Sequence, residues 1–212
     1  RQLLEHLTRR HPEGVVIEAG LAVQPDSGKN PYDRFRHRLT FPVRDSEGRL
    51  IAFGGRILGD GEPKYLNSPE SPLFHKRSTL FCLDRARRAI ADETEAVVVE
   101  GYFDCFSLHL VGITHAVATL GTALTAEHAR LLRRRVGPDG RVVLCYDADT
   151  AGRRGIEAGA IAEIGRVVDV GQRVGRDLRV RMGEEPAHGV QVRHVAVCTP
   201  DRLEQPGIPP GH

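Results

Sequence analysis

Val97-Val98-Val99-Glu100-Gly101-Tyr102-Phe103-Asp104 and Val142-Val143-Leu144-Cys145-Tyr146-Asp147-Ala148-Asp149 decide how the chain is read. Each is an apolar, β-branched run that stops abruptly on carboxylates. A short Val- and Leu-rich run bounded by polar residues reads as a strand buried on both faces. Acids at the exit of such a strand sit at the carboxyl edge of a parallel sheet, where α/β folds place their sites. Asp147 and Asp149 share one side of an extended segment, because side-chain direction has period two. Glu100 closes the other run, and Asp104 lies four residues on, one helical turn away. Crowded carboxylates repel one another, and a hard divalent cation bound through oxygen relieves that repulsion. Glu100, Asp104, Asp147 and Asp149 therefore form a candidate site for one or two Mg2+ ions. Acids at strand ends also serve as ordinary helix caps.

The rhythm around these runs is strand and helix in alternation. A basic amphipathic helix over Leu83 to Ile90 precedes the first run, and Phe103 to Val111 follows it as a helix ended by Gly112. Ala116 to Leu120 reads as a strand and Ala126 to Arg135 as a helix with Thr125 as N-cap. Ala151 to about Ile164 reads as a helix after the second run. This order predicts a parallel sheet flanked by helices, an α/β fold.

The first third reads differently. Leu3, Leu4 and Leu7 share one helical face, Val15, Val16 and Ala19 mark a second short helix, and Gly20 is a plausible stop. Pro25 to Gly28 is turn chemistry. Leu39, Phe41 and Val43 alternate with polar residues up to Asp45-Ser46-Glu47-Gly48, and Ile51, Phe53 and Ile57 resume the alternation as a hairpin. Gly54-Gly55 marks a bulge or a close backbone approach. Gly61 to Pro72 reads as a loop carrying Lys64, Tyr65, Asn67 and Ser68. Beyond Gly165 the pattern weakens, with candidate strands at Asp177 to Met182 and Val190 to Val197. Gln205 to His212 reads as a disordered tail.

Composition narrows the class. In 212 residues, 40% are apolar and 27% charged, as in a soluble globular protein. No stretch reaches the roughly 20 apolar residues of a membrane span. The net charge of +2 confines any nucleic-acid contact to a local basic face. Cys82, Cys105, Cys145 and Cys198 form no CxxC pair, which argues against a zinc site and suits a reducing cytoplasm. The chain opens on Arg1-Gln2-Leu3-Leu4 with no initiator Met, which reads as an excerpt of a longer protein.

Glu100-Gly101-Tyr102-Phe103-Asp104 resembles the glutamate motif of the Toprim domain, and Tyr146-Asp147-Ala148-Asp149-Thr150-Ala151-Gly152 its Asp-x-Asp motif. Topoisomerases, recombination mediators and OLD-type nucleases share that domain. The flanks separate them. Tyr32-Asp33-Arg34-Phe35-Arg36, Phe41-Pro42-Val43-Arg44-Asp45, Phe53-Gly54-Gly55-Arg56 and Pro63-Lys64-Tyr65-Leu66-Asn67-Ser68-Pro69-Glu70 are similar, in order, to signatures of the bacterial DnaG-type DNA primases. The resemblance runs over about residues 1 to 157.

It implies a Toprim-type sheet over residues 91–165, preceded by a smaller mixed α+β subdomain over residues 1–90 and followed by a divergent segment over 166–212. It implies an enzyme that builds RNA primers on a single-stranded DNA template from ribonucleoside triphosphates with Mg2+ or Mn2+. Glu100, Asp104, Asp147 and Asp149 resemble the metal ligands, with Glu100, Asp147 and Asp149 in the catalytic role. Arg34, Arg36, Arg56 and Lys64 resemble the bases that contact nucleotide or nucleic acid, and Tyr65 and Asn67 lie in the same motif. Arginine forks suit phosphate oxygens.

Zinc is expected only in the family's N-terminal domain, and the replicative helicase is expected to bind a C-terminal domain. Neither domain is recognisable here. A further Asp-x-Asp of the family, expected on the next strand, is not found. Asp177, Glu184-Glu185 and Asp201 are the nearest acids, and from about Ile156 onward the residues cease to look like the family. Two other functions stand beside primer synthesis: a Toprim nuclease, and a catalytically degenerate remnant that only binds single-stranded nucleic acid. Metal-dependent ribonucleotide incorporation separates the first reading from both.

Overall fold

The computed structural model describes residues 2–146, 164 and 167–169. The chain divides into two compact units, Arg1–Arg85 and Ala86–His212.

The first unit opens with helices α1 (Gln2–Leu7) and α2 (Glu13–Glu18). They bury Leu4 and Val16 against Ala22 of strand β1 (Ala22–Val23), with Leu7, Ile17 and Leu21 packed around. Gly20, one residue beyond the Ala19 cap, takes the left-handed φ of +70° that ends α2. Strand β2 (Tyr32–Asp33) pairs with β1. Its Asp33 carboxylate accepts the N–H groups of Leu3 (3.2 Å) and Leu4 (2.8 Å), capping α1 from 30 residues away.

Strands β3 (Arg38–Arg44) and β4 (Leu50–Ile57) form the expected hairpin, and the Asp45 carboxylate bonds the Glu47 and Arg49 N–H groups inside its turn. The facing of β4 differs from the expected alternation. Register pairs Phe41 with Gly54 and Val43 with Ala52, so small residues are buried beneath Phe41 and Val43. Phe53 points to the other face, where Phe35 meets it edge-on at 6.4 Å. Small residues opposite Phe41 and Val43 leave room for those side chains. The bulge falls between Val43 and Arg44, not at the glycines. Gly55 is the close approach: a Cβ there would lie 2.8 Å from the Phe35 ring. The expected loop over 61–72 contains a short strand, β5 (Tyr65–Asn67), paired with β4. It satisfies backbone groups that the β4 edge would otherwise leave open.

In the second unit, strands β6 (Glu95–Val99), β7 (Ala116–Ala118), β8 (Arg141–Cys145) and β9 (Val167–Asp169) make one parallel sheet in the order β7-β6-β8-β9. The α/β architecture expected from the alternation is therefore present. Helix α3 (Leu83–Glu93) leads into β6, α4 (Tyr102–Leu110) connects β6 to β7 and α5 (Ala126–Val136) connects β7 to β8. All five residues of β6 are buried, as are Val142 to Cys145 of β8. Cys105 of α4 and Ala129, Leu132 and Val136 of α5 are buried too. Thr125 caps α5 as expected: its hydroxyl accepts the His128 N–H at 3.2 Å, and the buried His128 ring accepts the Thr125 N–H at 3.3 Å. The expected helix from Ala151, except Ile164, which is helical, and the candidate strands and tail beyond residue 170 lie outside the described residues.

Gly140 closes the turn between α5 and β8. A Cβ there would fall 2.6 Å from the Val136 Cβ and 2.7 Å from its carbonyl carbon, and backbone cannot step aside. Gly140→Ala is expected to cost about 1–3 kcal/mol, read as a lowered urea midpoint. An unchanged midpoint would contradict the clash.

Candidate active site

Val99 pairs with Ala118 on one side and Cys145 on the other. The next residues, Thr119, Glu100 and Tyr146, therefore stand in one row at the carboxyl edge of the sheet. Glu100 is half-buried in the centre of that row. Asp147 follows directly on Tyr146, but Asp147 and Asp149 lie outside the described residues. Asp104 does return toward this edge. It is the third residue of α4, and its carboxylate accepts the Gly101 N–H at 3.2 Å. The positive end of the helix dipole favours a carboxylate there. A Cβ at Gly101 would lie 2.8 Å from that carboxylate oxygen, so a larger residue there would push the Asp104 side chain aside.

Asp104 thus brings a carboxylate oxygen to the start of α4, just after Glu100 in the chain, and carboxylate donors fit a hard divalent cation. Tyr146 is buried, and burial first, with the Glu100 charge adding to it, pushes its phenol well above the usual value, against a smaller downward pull from Thr119. It remains a hydroxyl and a hydrogen-bond donor.

The basic candidates lie in the first unit. Arg56 and Tyr65 are cross-strand partners on β4 and β5, with the guanidinium 4.6 Å from the ring centroid. Arg36 covers the Tyr32 ring at 4.3 Å. Lys64 is exposed in sequence next to Tyr65. Arg34 differs from the rest. Its Nε (3.0 Å) and Nη2 (2.9 Å) both donate to the Asn67 carbonyl, and desolvation lowers its pKa. It ties the β2 end to the β5 end. Arg34→Ala is expected to cost about 1.5–3 kcal/mol, the range for hydrogen bonds made by a charged group. A melting temperature equal to the parent's would show that the fork carries no stability.

Several residues carried no local signal. Thr119 and Tyr146 reach the site only through register. Asp169 ends β9, whose Val167-Val168-Asp169 repeats in miniature the pattern of an apolar run stopping on an acid. It lies beside β8, paired with Leu144.

Residues 1–87 match the family described as DNA primase catalytic core, N-terminal domain, and residues 97–173 match the family described as Toprim-like. The match to residue 173 corrects the reading that the likeness ends near residue 156. The DNA primase of Synechococcus elongatus is 48% identical over 188 residues, 89% of this chain and 27% of that protein. The chain thus spans about a quarter of the length of such relatives. A DNA primase domain from Pseudomonas aeruginosa superposes with a TM-score of 0.68 at 47% identity, covering 77% of this chain and 50% of that one. A DnaG primase catalytic domain bound to ssDNA does so at 0.62 and 47% identity, covering 70% and 46%.

Proposed function

This chain belongs to the DnaG-type DNA primases as a segment of their catalytic core, and from that premise we propose that it assembles short RNA primers on single-stranded DNA from ribonucleoside triphosphates. The observation that carries the reading is Glu100 at the carboxyl edge of a parallel sheet, directly after β6 and between β7 and β8.

Residues 1–90 act as the basic subdomain and residues 91–165 as the metal-holding one. Glu100, Asp104, Asp147 and Asp149 hold Mg2+ or Mn2+, which when bound neutralises triphosphate charge and acidifies the attacking hydroxyl. Arg56 and Lys64 grip phosphate oxygens, and the Tyr65 ring offers a stacking face for a base. Arg36 adds charge beside Tyr32, and Asn67 anchors the loop through its carbonyl. The product bond joins the 3′-oxygen of one nucleotide to the α-phosphorus of the next, and pyrophosphate leaves.

The test is incorporation of labelled ribonucleotides by the purified chain on a single-stranded template with Mn2+. Template-dependent, chelator-sensitive product supports the reading. Binding of DNA without any product, indifferent to chelator, would favour the degenerate binding remnant instead. Arg56→Ala is expected to weaken single-stranded DNA binding for all sequences alike and to flatten the log–log salt slope by about 0.7–1, the signature of one lost phosphate contact. An unchanged slope would remove Arg56 from the phosphate contacts.

A further inference from the structure

The row at the sheet edge contains two hydroxyls that the function above does not use. Tyr146 and Thr119 are fully buried, and neither hydroxyl has a hydrogen-bond partner among the described residues. Buried polar groups are nearly always bonded, and an orphan that persists calls for an explanation. Removing both hydroxyls would relieve desolvation without losing a bond to any described residue. Their placement supplies the explanation. Register sets Thr119 and Tyr146 on the two strands either side of Glu100.

We propose that the Tyr146 and Thr119 hydroxyls are positioning groups for Glu100, orienting its carboxylate when a divalent cation takes one of its oxygens. The inference rests on the metal-site reading above. A carboxylate that shares one oxygen with a cation leaves the other free to accept a hydrogen bond. A donor fixed in the protein interior then holds the carboxylate in one orientation, and such outer partners govern metal affinity. Tyr146 supplies that donor, and Thr119, an acceptor as well as a donor, sets the direction of the phenol hydrogen. Both side chains are held by the strands they follow.

The experiment is a Mn2+ titration of the purified chain followed by melting temperature, on the parent, Tyr146→Phe, Thr119→Val, Thr119→Ser and Glu100→Gln. Tyr146→Phe and Thr119→Val are each expected to weaken Mn2+ binding by about 10–100-fold. Their metal-free melting temperatures are expected to equal or exceed the parent's, because the lost hydroxyls have no hydrogen-bond partner among the described residues. Thr119→Ser, which keeps the hydroxyl, is expected to bind as the parent does. Parent-like affinity in Tyr146→Phe would overturn the proposal. So would weaker binding accompanied by a lowered metal-free melting temperature, which marks a merely structural role. Glu100→Gln separates the two levels. If it binds Mn2+ as the parent does, the metal-site reading itself fails. If it loses binding while Tyr146→Phe and Thr119→Val keep it, only the positioning role fails.

Discussion

Glu100→Gln is expected to lower primer synthesis by about two orders of magnitude or more. A bound divalent ion contributes several kcal/mol of transition-state stabilisation, and each 1.36 kcal/mol is a factor of ten in rate. The amide keeps the size and much of the hydrogen-bonding capacity of the acid but not its charge. Glu100 stands half-buried directly after the end of β6, whose last residue, Val99, pairs with Cys145 of β8. Loss of one negative charge among several relieves repulsion, so the metal-free melting temperature is expected to hold or rise. Initial rates at saturating ribonucleotides, beside a melt of the same preparation, check both halves. A variant with parent-like rates would remove Glu100 from the machinery, and a large fall in melting temperature would recast it as a structural residue.

Glu95→Ala is expected to damage the fold from the opposite edge of the same sheet. Glu95 begins β6 with its side chain only 10% exposed. One carboxylate oxygen meets the His115 Nε2 at 3.2 Å, and the other accepts from the Arg141 Nε. Three strands are thus stitched at their amino ends by one acid. Breaking a buried pair by removing one partner costs about 3–5 kcal/mol. Arg141 is partly exposed and recovers some hydration, so about 2–4 kcal/mol is expected here.

The same cluster sets a pH dependence. The hydrogen bond from His115 lowers the Glu95 pKa most. Burial opposes it, and the bond and charge of Arg141 reinforce it, so the group stays below its ordinary 4.5. A depressed folded value means that the folded state holds the proton less tightly than the unfolded chain does. The stability it confers is present above pH 4.5 and is lost as pH falls through the folded value. Melts from pH 6 downward should show a steeper acid loss for the parent than for Glu95→Gln. Parallel curves would contradict the assignment.

What could be read from the residues follows from how local each signal is. The Val-rich runs announce β6 and β8 because three or four consecutive apolar residues, at 97–99 and 142–145, begin with valines and stop on polar ones. Thr125 announces its cap because the signal lies within three residues. Strand β5 was hidden because Tyr65–Asn67 is too short to show alternation and sits between Pro63 and Pro69. The facing of β4 was hidden because Ala52 and Gly54, the residues that face the core, carry little hydrophobic weight. The Glu95 cluster joins residues 20 and 46 positions apart, a pairing only the folded register reveals. The Tyr146–Glu100–Thr119 row arises the same way. Of the candidate acids, Glu100 and Asp104 stand near the start of α4, whereas Asp147 and Asp149 lie outside the described residues and enter through the proposed function.

That division fixes the decisive measurement, a Mn2+ titration of the parent beside an Asp147→Asn, Asp149→Asn double variant, followed by melting temperature. Ligand bound only to the native state stabilises by mass action, about 2.7 kcal/mol at a hundredfold excess over the dissociation constant. The account predicts a saturable rise in the parent and none in the double variant. Equal responses in both, or none in either, would contradict a metal site built from these carboxylates.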